Sequence, residues 1–177
     1  MRFFSEGLNY PWVKALLGVM VLAMILSGKQ TRRAAILALI AVPLSNFVTD
    51  LFKKGLPMPR PLNDPSLTDC IMRVGYSDSA GTASAHSANM MAAGVMFVIH
   101  LKWFGAPWFA LAVFVGLSRI YNGAHYPSQV LLGWVVGAFM AISVHLIAER
   151  IRKGKEQKAI LEAEPVRPGQ THEPTQP

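Results

Sequence analysis

Long apolar runs separated by short polar or basic stretches dominate the chain. Five such runs cover residues 11–27, 34–52, 83–101, 107–121 and 126–148. A bilayer core about 30 Å thick takes about 20 apolar residues per helix, so each run predicts a transmembrane helix. The first and fourth runs are short, which predicts tilt or local thinning of the bilayer. The pattern therefore predicts an all-α, polytopic membrane helix bundle with about five spans.

The two ends of the chain differ from this pattern. Residues 1–9 carry Phe3, Phe4 and Leu8, which fit either a short interfacial helix or a frayed terminus. Residues from Arg152 onward are charged and then rich in Pro, Glu, Gln and Thr, without periodicity, which is typical of disorder. We therefore expect a membrane-embedded domain over residues 1–151 and a polar, disordered tail over residues 152–177.

Composition agrees with a membrane protein. The 177 residues are 52% hydrophobic and 15% charged, whereas soluble domains are about 25% charged. The single cysteine excludes an intrachain disulfide and a cysteine metal cluster. The net charge of +7 could indicate nucleic-acid binding, but the basic residues lie at the ends of apolar runs. We expect no nucleic-acid partner.

Basic residues also predict the orientation of the chain. They follow the first, third and fifth runs, and these three places lie on one side of the membrane: Lys29, Arg32, Arg33, Lys102, Arg150, Arg152, Lys153, Lys155 and Lys158. The positive-inside rule makes that side the cytoplasm, together with the C-terminus. The other side still carries Lys53, Lys54, Arg60, Arg73 and Arg119. This outer excess needs an explanation of its own.

Polar side chains converge at the outer ends of the spans. These are the stripe Asn46, Asp50 and Lys53, then Arg60, the Ser84–His86 segment, Ser118, Arg119 and His125. Charged residues in or beside spans are expensive and are by default a hypothesis of function. Two histidines with three cations and no acidic pair suit a phosphate ester, because Arg and Lys match phosphate oxygens and a helix start adds N–H groups. One neutral imidazole can attack phosphorus while the other protonates the leaving oxygen.

Other phosphatase chemistries lack their residues. A Cys-x5-Arg loop starting at Cys70 fails because position 76 is Tyr, and neither an Asp-x-Asp pair nor a GxxxxGK[ST] loop occurs. Asp64, Asp69 and Asp78 lack the helical spacing of a di-metal site. We therefore expect neither a metal nor another cofactor.

At these residues the sequence resembles the type 2 phosphatidic acid phosphatase family, whose membrane members are integral lipid phosphatases. Its first motif, Lys-x6-Arg-Pro, is matched by Lys53, Arg60 and Pro61. Its second, Pro-Ser-Gly-His, is matched in part by the 83–86 segment, ASAH. Its third, Ser-Arg-x5-His-x3-Asp, is matched by Ser118-Arg119 and His125, with Gln129 in the Asp place. The resemblance covers about residues 45–140.

The resemblance implies roles for these residues. His125 would be the nucleophile that forms a phosphohistidine, and His86 would be the acid for the leaving group. The residues that would bind the phosphate, without a metal, are Lys53, Arg60, Ser84, Ala85 through its N–H, Ser118 and Arg119.

The departures from the motifs also carry expectations. Ala83 and Ala85 replace Pro and Gly, and a backbone N–H survives the second replacement. Gln129 can accept a bond from the imidazole Nδ1–H but brings no charge to stabilise an imidazolium. We therefore expect a weakened nucleophile, or one assisted by another carboxylate such as Asp50 or Asp78.

The substrate implied is a phospholipid, or a polyprenyl or glycolipid phosphate. A site on the outer face of a bacterial inner membrane suggests lipid A 1-phosphate, undecaprenyl pyrophosphate or phosphatidylglycerophosphate. Two alternatives stay open: transfer of the phosphoryl group to another lipid, and a non-catalytic phospholipid-binding or transport protein. The oligomeric state is undetermined by the sequence.

Overall fold

The computed structural model describes residues 10–64, 67, 71, 73 and 78–163. The N-terminal residues 1–9, for which we expect an interfacial helix or a frayed end, lie outside the described residues. The end of the predicted tail, residues 164–177, lies outside them as well.

The described part of the chain is helical, without strands. It contains five α-helices: α1 (Pro11–Ser27), α2 (Lys29–Gly55), α3 (Ala85–Leu101), α4 (Ala106–Tyr121) and α5 (Pro127–Ala163). Two 3₁₀ turns, Pro61–Asn63 and Lys102–Gly105, lie in the connections. The predicted all-α fold class is confirmed.

Fewer segments than predicted have the length of a full span. By length and composition, three segments can cross a membrane: α2, α5 and the stretch Ala85–Tyr121, which contains both α3 and α4. Lys102, whose φ is 53°, separates those two helices, so that each is short, with 17 and 16 residues. The helix α1 is apolar but also has only 17 residues. The five apolar runs therefore form five helices, of which three are shorter than the usual span.

Small residues bring the helices into close contact around α3. This helix packs between α2 and α4, and Ala88, Ala92 and Gly94 on it are buried. On α5, a Cβ added at Gly133 would lie 2.6 Å from the carbonyl oxygen of Ser84, so only glycine permits this approach. Close packing through small residues is typical of membrane helices. It holds the start of α3 against the start of α5, where the candidate site lies.

The chain divides into two compact units, residues 1–145 and 146–177. In the second unit α5 continues to Ala163, so residues 152–163 of the predicted disordered tail are helical instead. Arg152 pairs with Glu149 and Glu156, and Lys158 pairs with Glu162. Such pairs at i, i+3 and i, i+4 support a helix without an apolar stripe, which is why the lack of periodicity gave the wrong prediction.

Candidate active site

The first motif lies at the end of α2 and in the segment that follows it. Lys53 is in the last turn of α2, and its Nζ lies 3.0 Å from Asp50 Oδ1. Arg60 follows in an extended segment. Its Nε donates to the Ser79 carbonyl at 2.7 Å and its Nη2 to the Ser79 hydroxyl at 2.6 Å. Arg60 thus ties the first motif to the residues just before the second.

The remaining nitrogen of the Arg60 guanidinium faces the third motif. Nη1 lies 3.5 Å from the Ala124 carbonyl, to which it donates, and 3.4 Å from His125 Nε2. Burial lowers the pKa of Arg60 from its ordinary value of 12.5. Because an arginine keeps its charge throughout the physiological range, a full positive charge lies beside the His125 ring.

The second motif forms the start of α3. Ser84 is fully buried and is the N-cap residue, and its Oγ accepts bonds from the Ser87 N–H at 3.4 Å and the Ser87 hydroxyl at 2.9 Å. Ala85 and His86 are the first two residues of the helix. The N–H groups of the first two residues of a helix have no partner within the helix, so those of Ala85 and His86 can face an anion.

The third motif reverses the chain between α4 and α5. Gly123 adopts a φ of 69°, a left-handed conformation that favours glycine, and the Ala124 N–H donates to the Arg119 carbonyl at 3.0 Å. This turn brings His125 back beside buried Arg119. Ser118 is fully buried, but its hydroxyl donates to the Val115 carbonyl at 2.7 Å within α4.

The hydrogen bonds of His125 fix which ring nitrogen carries the proton. Nδ1 lies 3.2 Å from the Gly81 carbonyl and 3.1 Å from Gln129 Oε1. The Gln129 amide nitrogen donates elsewhere, to the Pro59 carbonyl at 2.9 Å, so both neighbours of Nδ1 are acceptors. We therefore assign the proton to Nδ1. The lone pair of Nε2 then faces Arg60.

The surroundings of His125 also keep its ring neutral. Burial, followed by the charges of Arg60 and Arg119, lowers the pKa of His125 to about 3, although the bonds to Gln129 and Gly81 act in the opposite direction. Cations and a low dielectric both disfavour imidazolium. A buried, neutral imidazole with a fixed tautomer is what a nitrogen nucleophile needs.

Gln129 connects all three motifs. Its side-chain oxygen also accepts from the Tyr126 N–H at 3.2 Å, and its backbone carbonyl accepts from the Ser84 N–H at 3.0 Å. With the bonds to His125 and Pro59, one buried residue is joined to each segment of the site. The amide therefore accepts at His125, as the sequence predicts, and in addition holds the residue before Arg60.

The predicted cations Lys53, Arg60 and Arg119 lie near enough to the two histidines to interact with them electrostatically. The charges of Arg119, Lys53 and Arg60 all act on His86, and those of Arg60 and Arg119 act on His125. Neither predicted helper carboxylate is hydrogen-bonded to His125 among the described residues, since Asp50 pairs with Lys53 and Asp78 is exposed. Within the same residues no group of three His, Cys, Asp or Glu side chains could hold a metal ion.

The sequence motifs do not include three residues that shape the site: Pro59, Ser79 and Gly81. A Cβ added at Gly81 would lie 2.9 Å from Arg60 Cγ and from both amide atoms of Gln129. The run of small residues just before the second motif, SAGT, is the sequence signal for this close approach.

The sequence model of the PAP2 superfamily matches residues 34–153, which include every residue of the cluster. The chain belongs to the PAP2 superfamily. The resemblance inferred from the three motifs is thus confirmed, and the chain is a multi-pass membrane protein.

Two curated PAP2-type relatives are similar in sequence. The undecaprenyl-diphosphatase of Sulfolobus acidocaldarius is 28% identical over 150 residues, which are 80% of this chain and 66% of that protein. The lipid A 1-phosphatase of Rhizobium johnstonii is 26% identical over 111 residues, 62% of this chain and 46% of that protein. The match thus spans slightly less than two thirds of the first relative and less than half of the second.

A solved PAP2 structure has the same fold. It is the transmembrane PAP2-type phosphatidylglycerolphosphate phosphatase from Bacillus subtilis, with a TM-score of 0.61 and 24% identity. The match covers 82% of this chain and 73% of that one.

Proposed function

We propose that this chain is a lipid phosphatase that hydrolyses a phosphate monoester or a pyrophosphate on a membrane lipid through a phosphohistidine at His125. The observation that carries the proposal is the state of His125. Its Nδ1 faces two acceptors, and its Nε2 lone pair faces a cation, Arg60. A phosphate held by that cation would meet the lone pair directly.

The proposed reaction has two steps. His125 Nε2 attacks phosphorus, a P–N bond forms, and the bond from phosphorus to the lipid oxygen breaks while His86, which enters the step as imidazolium, donates a proton to that oxygen. His86 then accepts a proton from water, the water oxygen attacks phosphorus, and the P–N bond breaks to release inorganic phosphate. The positive charge that His125 gains in the intermediate is stabilised by the Gln129 oxygen, which accepts the Nδ1–H bond.

Positive charge and N–H groups would hold the phosphoryl oxygens. Arg60 and Arg119 supply guanidinium groups, Lys53 an ammonium group, and Ala85 a backbone N–H at the start of α3. Ser84 Oγ accepts two bonds, and in the proposal its own hydrogen is donated to the phosphate. Because the Ser118 hydroxyl is used within α4, we assign Ser118 to orienting the last turn of that helix, beside Arg119.

The names of the similar proteins guide the choice of substrates. They include an undecaprenyl-diphosphatase, a lipid A 1-phosphatase and a phosphatidylglycerolphosphate phosphatase. The common chemistry is a phosphate or pyrophosphate on a lipid at the membrane surface. We propose that this chain acts on a member of this class, without a metal.

A phosphate-release assay on the detergent-solubilised full chain tests the proposal. The substrates are lipid A 1-phosphate, undecaprenyl pyrophosphate and phosphatidylglycerophosphate, each with EDTA present. We expect release from at least one, loss of release in His125→Ala and His86→Ala, and activity near the native level in His145→Gln, a histidine in the middle of α5. Full activity in His125→Ala, or activity abolished by EDTA, contradicts the mechanism.

Two further measurements separate the alternatives. Quenching the reaction of a ³²P-labelled substrate in alkaline detergent should trap an acid-labile, alkali-stable phosphoprotein that is missing from His125→Ala. Label that moves to an added acceptor lipid rather than to water would indicate a lipid-to-lipid phosphotransferase. Lipid binding that persists in His125→Ala, with no phosphate released by the native chain, would indicate a non-catalytic binding or transport protein.

We also propose that the chain lies in a bacterial inner membrane with its site facing the periplasm and its C-terminus in the cytoplasm. Cys70 is the single cysteine of the chain and lies between α2 and α3 in the sequence. A membrane-impermeant maleimide should label it in intact spheroplasts. A Cys70→Ser chain with Lys158→Cys should react only after lysis, and the reverse pattern would contradict the orientation.

A further inference from the structure

A line of hydrogen-bonded polar side chains runs between α2 and α3 and ends at Lys53. Asn89 Nδ2 donates to Asn46 Oδ1 at 3.4 Å, and Asn46 Nδ2 donates to Asp50 Oδ2 at 3.2 Å. Lys53 Nζ donates to the other carboxylate oxygen, Asp50 Oδ1, at 3.0 Å. Asn46 and Lys53 donate to the Asp50 carboxylate, and Asn89 donates to Asn46, so the acceptor of each donor fixes the orientation of each amide.

This line places polar groups where they cost free energy. Two amides and a carboxylate lie on α2 and α3 toward the outer ends of the spans, and the Asp50 side chain is 48% exposed. Polar side chains in or beside spans are expensive and suggest a function. Hydrogen bonds between helices stabilise packing, which accounts for the Asn46–Asn89 pair. Packing alone does not require the line to end on a carboxylate that pairs with Lys53. The side chain of Lys53 is only 17% exposed, whereas Lys54 next to it is exposed.

We propose that Asp50, held by Asn46 and Asn89, is a positioning residue that orients the Lys53 ammonium group for binding of the substrate phosphate. The inference rests on the proposed function, because only there is Lys53 a phosphate ligand. An ammonium group has three N–H donors. One donor on Asp50 leaves two for phosphate oxygens, and the flexible four-carbon side chain is ordered before the substrate arrives.

The sign of one mutational effect separates positioning from simple electrostatics. Replacing Asp50 by the neutral, isosteric Asn makes the site more positive. If charge alone mattered, an anion would then bind more tightly. If Asp50 positions Lys53, the anion binds more weakly despite the added positive charge, because a neutral amide oxygen holds the ammonium group less firmly than a carboxylate does and the amide Nδ2 would face the Asn46 donor.

The experiment measures binding of inorganic phosphate to the detergent-solubilised full chain by isothermal titration calorimetry. We expect Asp50→Asn to raise the Kd about tenfold, as for loss of a charged hydrogen bond. In the Lys53→Met background the same substitution should change the Kd by less than about twofold, because residues that act through one another are not additive. The matched control is Lys54→Met, which removes the same charge one residue away and should leave the effect of Asp50→Asn intact.

A second variant extends the test along the line. Asn46→Ala removes the donor to Asp50 Oδ2, so we expect a rise in Kd of about threefold that vanishes in the Asp50→Asn background. A merely structural role for these residues would lower the unfolding temperature without this dependence on Lys53. Thermal unfolding of each variant is therefore measured alongside the binding.

Three results would overturn the inference: unchanged or tighter phosphate binding in Asp50→Asn, additivity with Lys53→Met, or no phosphate binding by the native chain. Phosphate binding requires no turnover. A native chain that shows the expected coupling but releases phosphate from none of the lipids would therefore contradict the proposed function and leave the role of Asp50 standing.

Discussion

The Gln129 side chain donates through Nε2 to the Pro59 carbonyl at 2.9 Å, while its Oε1 lies 3.1 Å from His125 Nδ1. A carboxylate in this place could accept from the histidine but could not donate to the carbonyl. Compared with a carboxylate, the amide therefore places no negative charge beside His125, but it donates a hydrogen bond to the segment that carries Arg60.

The first prediction concerns Gln129→Asp. The shorter carboxylate loses the bond to the Pro59 carbonyl and with it the tie to the segment that carries Arg60, so we expect kcat/KM for the lipid phosphate to fall about tenfold. The idea of a nucleophile weakened only by missing charge predicts the opposite, an activity that is held or raised. Steady-state phosphate release from the native chain and from Gln129→Asp decides between them. Gln129→Glu keeps the length of the side chain but replaces the amide donor by a carboxylate, so it separates the effect of length from that of charge.

The second prediction concerns the protonation of His125. Because burial and two cations lower its pKa to about 3, the ring should stay neutral, with the proton on Nδ1, in ¹⁵N-histidine spectra down to about pH 4. Removing the charge in Arg60→Gln removes one cause of the lowering, so the pKa should move upward. An imidazolium signal assigned to His125 at pH 6 is incompatible with this electrostatic description.

The same pKa bears on the pH profile. The free enzyme should show no acid limb in kcat/KM near pH 6.5 that belongs to His125, because that group stays unprotonated well below this pH. Replacing Gln129 by Glu places a carboxylate at the ring and should raise the pKa, which would bring such a limb toward neutral pH. A profile that is the same in both chains would contradict the prediction.

Gly81→Ala is the third prediction. The added Cβ would lie 2.9 Å from Arg60 Cγ and from both amide atoms of Gln129, so one or both side chains must shift. We expect kcat/KM to fall at least about tenfold with a folded chain, because small displacements of positioning groups are costly in catalysis. Gly55→Ala is the matched control, since nothing lies within 4 Å of a Cβ at that glycine.

The fourth prediction replaces the guanidinium group of Arg60 by an ammonium group. Arg60→Lys keeps the charge but cannot reach the two oxygens of Ser79 and the Ala124 carbonyl in the same geometry. We expect kcat/KM to fall about a hundredfold, because the variant loses the bidentate contact with the phosphate and the hydrogen bonds that join the Arg60 segment to Ser79 and Ala124. Arg73→Lys should cost much less, because Arg73 contacts the Tyr121 ring and carbonyl instead.

The sequence predicted the helices and the convergence of the motifs because both follow from regular spacing. Apolar runs give the helices, and positions such as His86 and His125 at the ends of those runs share one membrane face. The contacts of Pro59, Ser79 and Gly81 could not be predicted, because loop carbonyls approach a site through backbone paths that carry no periodic signal. Similarly, the motif pattern identified Gln129 as a departure but not its second bond, which depends on where Pro59 lies.

The turn at Gly123, which places His125 beside Arg119 and Arg60, has a consequence for the end of the catalytic cycle. In the proposed mechanism both guanidinium groups keep their charge before and after bond cleavage, so they hold free phosphate as they held the ester. The product would then compete with the next lipid for the pocket. In the proposed mechanism, turnover would therefore slow as inorganic phosphate accumulates.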